Sequence, residues 1–471
     1  MLTSLDFLRR GEKWPPDSER ERLADYKAYK QIYNDDHAEV YKAQLARIER
    51  VIGNYDRMIS FATILNYQRL LTTKLLDFVL GEPPTITVPE EERQEIIDRI
   101  INDFRLYDAL GLAGIDASRY GDGLLFVRAD GSGMKLGVTP PVLWFPVVDP
   151  DDIKRTIYHV FASIRIEGKE RILRVQIHAV DDPGTVEVHE YRLNGQGEPY
   201  TIGAEIPIDG VSETGKVDTG LEFCPVYRII NSEASDDVYG TSDYRAIDSI
   251  VSELIVRVSQ VSKILDVHAS PSMSGPESAL ERDMLTGQYR LRAGNYFPRA
   301  SSDEPQLEYI TWDANLEANF KQIDTLMQAL YTISEMGSAV FGDMKAGQIP
   351  SGTALKRLMI SPLSRARRFA ASMDVTIKRL LVDAAKAYGV EIPLEDISIR
   401  WNDGLPNDDK EMAEIMNIRT GGAPTISQHT AIIRLDNLTQ EVASAELEEI
   451  RADAVADDLS QPPVDFGGDD A

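Results

Sequence analysis

The chain has 471 residues, 43% of them hydrophobic and 27% charged, a composition that excludes disorder throughout and suffices for two or three packed cores. Fifty Lys and Arg against 77 Asp and Glu leave a formal charge of -27, which opposes tight, sequence-independent binding of a polyanion by the surface as a whole. The one cysteine, Cys224, excludes an intrachain disulfide, and no Cys/His spacing suits zinc, so a reducing compartment and no metal or cofactor are expected.

The N-terminal stretch MLTSLDFLRRGEKWPP lacks the apolar run of a signal peptide, and no later stretch nears about 18 uninterrupted apolar residues, so a soluble protein away from membranes is expected. From Ser18 to about Gly81 the pattern is helical, with Ile64, Leu71, Leu75 and Val79 recurring near one turn until Gly81-Glu82-Pro83-Pro84 stops it. Glu90 to about Leu110 predicts another amphipathic helix. Gly121-Asp122-Gly123 then introduces a strand over Leu124 to Val127. Between Pro140 and Ile230 the period shifts to two, as in Tyr158, Val160, Ile164 and Ile166, and turn clusters such as Asp181-Asp182-Pro183-Gly184 and Asn194-Gly195 separate the runs. That region reads as a β-rich layer.

A long one-sided helix begins near Ser242, its stripe running through Ile247, Val251, Leu254, Val258 and Leu265. Pro271 to Trp312 breaks the pattern as a small α/β insertion, and a second long helix follows with Leu316, Phe320, Ile323, Met327 and Leu330 near the 3.5-residue period. A loop from Phe341-Gly342-Asp343 leads to the capping residues Ser351-Gly352-Thr353. A third long helix is expected over Thr353 to Tyr388, kinked at Pro362. A short strand, Ile397 to Trp401, precedes an acidic helical region from Asp408 to about Asp457, and SQPPVDFGGDDA reads as a loose acidic tail.

Motifs with catalytic overtones are weak. Gly210-Val211-Ser212-Glu213-Thr214-Gly215-Lys216-Val217 nearly spells a phosphate-binding loop, but Val217 replaces the hydroxyl that would hold magnesium. The histidines His37, His159, His178, His189, His268 and His429 show no HExxH spacing, although His189-Glu190 and His178 with Asp181-Asp182 could converge in a hairpin; surface or hydrogen-bonded histidines are the expectation. Asp149/Asp151/Asp152 and Asp408/Asp409 imitate a two-metal nuclease, yet sit where Asp caps turns. Trp14, Trp144, Trp312 and Trp401 read as core or interface anchors.

The ordered set Leu80-Gly81-Glu82-Pro83, Gly121-Asp122-Gly123-Leu124, Gly240-Thr241-Ser242-Asp243, and Phe341-Gly342 through Ser351-Gly352-Thr353-Ala354-Leu355 resembles tailed-phage portal proteins of the SPP1-like siphophage type, over roughly Asp56 to Asp457. The resemblance implies an α+β portal fold: a wing over 1–241, stem helices over 242–268 and 313–340 flanking a clip at 269–312, and a tunnel loop at 341–352. An inner wing helix and wing strand at 353–407, a helical crown at 408–457 and an acidic tail at 458–471 complete it. It further implies a non-enzymatic, twelve-subunit ring in the virion, at the capsid portal vertex, assembled in the host cytoplasm. Implied partners are copies of the chain itself, the terminase motor, the head-tail adaptor, the major capsid or scaffolding protein, and double-stranded DNA in the tunnel.

In the implied tunnel loop, Asp343, Met344, Lys345, Gln348 and Ile349 are the candidate DNA-facing residues, with Lys345 and Gln348, its longest polar side chains, making weak phosphate contacts. An acidic ring avoids the steep well that many fixed Lys or Arg contacts to phosphate would create. Arg290, Arg292, Arg299, Asp303 and Glu304 in the implied clip form a mixed-charge surface, suited either to docking proteins or to plain solvation. The competing readings are a packaging-associated ATPase or nuclease, and another capsid or connector protein; the paired helices around an insertion favour the portal.

Overall fold

A computed structural model describes residues 1–46, 62–130, 133–212, 214–269, 273–274, 280–282, 289–291, 308–309, 316–342, 357–402, 409–421, 424–436 and 440–460. The chain divides into two units, Met1–Ile349 with Leu355–Gly404, and Pro350–Ala354 with Leu405–Ala471.

In the larger unit, strand β1 (Lys13–Trp14) precedes helix α1 (Arg20–Tyr33). Helix α2 (Tyr67–Leu80) starts at Asn66, whose Oδ1 accepts from Arg69 N at 2.9 Å as an N-cap should. After strand β2 (Thr85–Thr87) come α3 (Glu91–Phe104) and α4 (Leu106–Tyr120). The single helix expected from Glu90 to about Leu110 is therefore two. Arg105 adopts a left-handed φ of 46°, and the turn it makes lets Phe104 and Leu106 both enter the core.

Strands β3 (Asp122–Asp130) and β4 (Gly133–Thr139) form a hairpin, which extends β3 beyond the expected Leu124 to Val127. The β-rich layer follows: β5 (Trp144–Val148), β6 (Thr156–Glu167), β7 (Glu170–Ala179), β8 (Thr185–Asn194), β9 (Tyr200–Ile206), β10 (Lys216–Asp218) and β11 (Val226–Ile230). Six strands run in the order β1-β9-β8-β7-β6-β5, with β10 on β8, and β11-β3-β4 makes a second, three-stranded sheet. Period-two burial puts Val160, Ala162, Leu173 and Val175 on one face of the larger sheet, under Leu2, Leu8 and Trp14. Its other face contributes Trp144 and Phe161 to a core shared with Leu124, Phe126 and Val226 of the smaller sheet.

Helix α5 (Asp243–Ala269) is the first long rod and α6 (Leu316–Ile333) the second. Between them the described residues form two antiparallel pairs, β12 (Met273–Ser274) with β15 (Glu308–Tyr309) and β13 (Leu280–Arg282) with β14 (Tyr289–Leu291). Helix α7 (Ile360–Ala387) buries Leu363, Ala366, Phe369, Met373, Ile377 and Leu380 along one stripe. Residues 357–358 are helical, Met359 interrupts the run as a turn, and α7 resumes at Ile360 with Pro362 in its first turn, so the helix expected from Thr353 is broken just before the proline, while 353–356 lie outside the described residues. Strand β16 (Ser398–Arg400) then pairs with β2.

The smaller unit consists of α8 (Asp409–Thr420), α9 (Gln428–Asp436) and α10 (Gln440–Ser460). α10 carries helix past Asp457, where the loose tail was expected to begin. Of its described side chains only Met416, Ala431 and Ala443 are buried hydrophobics, while Ile418, Val442 and Ile450 are exposed.

Candidate functional site

The rod α5 begins at a buried polar joint within the larger unit. Ser242 opens it: its Oγ accepts from Tyr244 N at 3.1 Å and donates to Arg119 O at 2.6 Å, tying the helix start to the end of α4. Asp243 is the first helical residue. Its carboxylate accepts from Ser118 Oγ at 2.7 Å, Asn231 Nδ2 at 2.9 Å and Arg365 Nη2 at 2.5 Å, so α4, the end of β11 and α7 all converge there. Arg365 also donates to Asn231 Oδ1. A negative charge at a helix N-terminus is further favoured by the aligned peptide dipoles.

A second ion pair lies beside the first. Asp122, fully buried, accepts from Arg228 Nε at 2.7 Å and from Gly240 N at 3.0 Å, and Arg228 Nη2 donates to Val238 O at 2.7 Å. One arginine matches each carboxylate, so no buried charge is left uncompensated. The backbones also touch. A Cβ on Gly121, whose φ is 98°, would stand 2.0 Å from Gly240 O, and one on Gly240 would stand 2.1 Å from Gly121 O. The segments Gly121-Asp122-Gly123-Leu124 and Gly240-Thr241-Ser242-Asp243 are thus two halves of one contact, and glycine is the residue that permits the approach.

Further along α5 the N-terminal segments hold it at intervals. Thr72 Oγ1 donates to Tyr244 OH at 3.2 Å, Tyr41 OH donates to Asp248, Gln68 Nε2 donates to Tyr41 OH at 2.7 Å, and Thr63 N donates to Ser259 Oγ at 2.9 Å. Burial raises the Asp248 carboxyl and pushes the Tyr41 hydroxyl up strongly, the adjacent carboxylate adding to the latter. The stripe Ile247, Val251, Leu254 and Ile255 is completely enclosed. The second rod differs: α6 packs on α5 but buries only Leu330 and Tyr331, leaving Phe320 49% and Ile333 47% exposed.

Elsewhere the motifs settle into structural roles. Lys216 begins strand β10 opposite Glu187, with no helix between it and α5, so the phosphate-loop reading has no supporting geometry. Asp149 and Asp152 accept from Asp151 N at 2.9 Å and Lys154 N at 3.1 Å, as turn caps. Trp14 and Trp144 are buried, Trp401 Nε1 donates to Asp374 at 3.3 Å, and Trp312 lies outside the described residues. The expectation of surface or hydrogen-bonded histidines fails at His178, which is buried facing Phe126 and Phe161 with neither ring nitrogen bonded. Its cross-strand neighbour His159 accepts from Trp144 Nε1 at 3.1 Å. Burial lowers both imidazoles, to about 4 for His178 and, with His178 and Arg228 adding to the effect, to about 3 for His159. Among the described residues no group of His, Cys, Asp and Glu could hold a metal, and no helix is long and apolar enough to cross a membrane.

Asp343, Met344, Lys345, Gln348 and Ile349 lie outside the described residues, as do Arg292, Arg299, Asp303 and Glu304. Arg290 is placed by its backbone in β14, opposite Glu281. Sequence reasoning passed over the joint residues Asn231, Arg228 and Arg365. A signal for Arg365 existed: it interrupts the apolar stripe of Leu363, Ala366 and Phe369 with a charge that has to find a partner.

No curated protein matches the chain. Among solved structures, it is similar to a chain of the neck of the empty GTA particle computed with C6 symmetry, at 14% identity and a TM-score of 0.47, covering 78% of this chain and 88% of that one. It is also similar to a chain of the neck of the native GTA particle computed with C12 symmetry, at 12% identity and a TM-score of 0.40, covering 78% and 89%. The family described as phage portal protein, SPP1 Gp6-like, matches residues 16–458. That match takes in both sheets apart from β1, the joint, both rods and the terminal helices, and the chain accordingly belongs to the SPP1 Gp6-like phage portal proteins, with an α+β portal fold.

Proposed function

We propose that copies of this chain close into a ring, a dodecamer by analogy with the family, that stands at a capsid vertex of the virion as the passage for double-stranded DNA during packaging and ejection. The ring is structural rather than catalytic, and serves as the platform for the terminase motor, the head-tail adaptor and the major capsid or scaffolding protein. The observation that carries this reading is the family match over residues 16–458. The half-exposed apolar flank of α6 supports it, since a rod of this kind gains by burying its remaining stripe against a neighbour. So does the charge of -27, which lets a polyanion slide without being gripped.

Native mass measurement of the purified protein tests the assembly. A discrete closed oligomer is expected, and a stable monomer at capsid-like concentrations would sink the reading. Within it, 269–312 is the clip, with Arg290, Arg292, Arg299, Asp303 and Glu304 docking the terminase and adaptor, and 341–352 is the tunnel loop, with Lys345 and Gln348 touching phosphates. Packaging of DNA at wild-type rate after Lys345→Ala and Gln348→Ala together would remove that last assignment.

A further inference from the structure

Among the described residues, two strand edges in the larger unit pair on one side only, while their counterparts are closed. Leu2 lies along β5 and its carbonyl accepts from Val148 N at 3.0 Å. At β11, Ser372 Oγ accepts from Ile230 N at 3.0 Å and Thr376 Oγ1 donates to Arg228 O at 2.6 Å, so α7 satisfies that edge with hydroxyls. Strand β4, at the opposite side of the same sheet, pairs with β3 alone among the described residues. A groove of about 890 Å³ runs beside it, walled by Leu76, Leu80, Leu112 and Ile115 and by the consecutive residues 135–138. A strand face presents every second residue; four in succession are presented by an edge.

The second open edge is the far half of β6. Strand β5 accompanies β6 only as far as the pair Trp144 with Phe161, so residues 163–167 pair with β7 on one side and nothing on the other among the described residues. All five are exposed, and Ile164 and Ile166, which share a face, are 37% and 69% exposed. Unpaired edges carrying apolar side chains are templates for another strand.

We propose that β4 of one copy and residues 163–167 of the next join edge to edge, continuing the sheet across the subunit boundary and laying Ile164 and Ile166 over the groove at Leu112. The inference rests on the ring reading and adds a specific contact to it. Two unlike surfaces on one chain meet head to tail, the kind of contact that rotation repeats into a closed ring. The lengths agree: the five residues 163–167 fit within the seven of β4. A second copy is the occupant because it supplies both edges in equal number.

The test is a cysteine matrix in the full chain: Lys135→Cys or Gly137→Cys combined with Arg165→Cys or Ile166→Cys. The native thiol does not interfere, since Cys224 is buried and burial pushes its ionisation up. Oxidation of the assembled protein is expected to give, for at least one pair, a ladder of covalent multimers on a denaturing gel, with single-cysteine controls migrating as monomers. In parallel, Ile166→Pro, which removes an N–H facing away from β7, is expected to lower the assembled fraction at least tenfold with the circular dichroism spectrum unchanged. If the wild type is a ring by native mass but no pair ladders and Ile166→Pro still assembles, the edge contact is wrong and the ring reading stands. A monomeric wild type overturns both.

Discussion

Helices α5 and α6 carry nearly the same apolar period in sequence, yet the larger unit encloses one and leaves the other half bare. α5 is held by the joint at Asp243, by hydroxyl and carboxamide contacts at Tyr244, Asp248 and Ser259, and by a fully buried stripe. α6 has α5 and little else, with Phe320 and Ile333 facing water. Periodicity states that a helix has an apolar side to bury; it does not state whether the partner lies in the same chain.

This contrast predicts that damage around α5 lowers the stability of a single chain, whereas damage on α6 lowers association. The largest effect is expected from Arg365→Met, which strands the buried Asp243 carboxylate and should cost about 3–5 kcal/mol in chemical unfolding. Leu254→Ala opens a cavity in an enclosed stripe and should cost about 3 kcal/mol by the same measurement. Acid titration comes next. His178 and His159 are depressed to about 4 and about 3 when folded, against an unfolded value of about 6.5, so the unfolded chain binds more protons as pH falls. Their contribution is full above about pH 6.5 and drains away towards pH 4, by about 1.4 kcal/mol per pH unit per histidine. His178→Phe, placed among Phe126 and Phe161, should flatten that slope. The smallest change in single-chain unfolding, within about 0.5 kcal/mol, is expected for Phe320→Ser. The same variant should shift the native mass distribution towards smaller species, and unchanged assembly would erase the contrast between the two rods.

The β-rich layer was legible because alternation in Val160, Ala162, Leu173 and Val175, broken by Asn194-Gly195, follows directly from the two faces of a strand. The break at Arg105 was not, because no glycine or proline marks it: the core positions of Phe104 and Leu106 impose the left-handed turn on a residue that rarely takes it. Pro362 was legible as a disturbance of its helix, since a proline bears on the turn before it, but nothing in the sequence placed the break at Met359. The glycines of the joint were visible as turn residues. That Gly121 and Gly240 press against each other is a fact of tertiary geometry, as is the choice of Arg365 and Arg228 as partners for Asp243 and Asp122.

The Gly121–Gly240 contact fixes where α5 starts. A Cβ on either glycine would stand 2.0 to 2.1 Å from the opposing carbonyl oxygen, so one backbone would have to yield. Because the helix, 27 residues and about 40 Å long, is gripped again at Tyr244, Asp248 and Ser259, that displacement finds no relief in a swing of the rod and is taken up as strain in the buried joint.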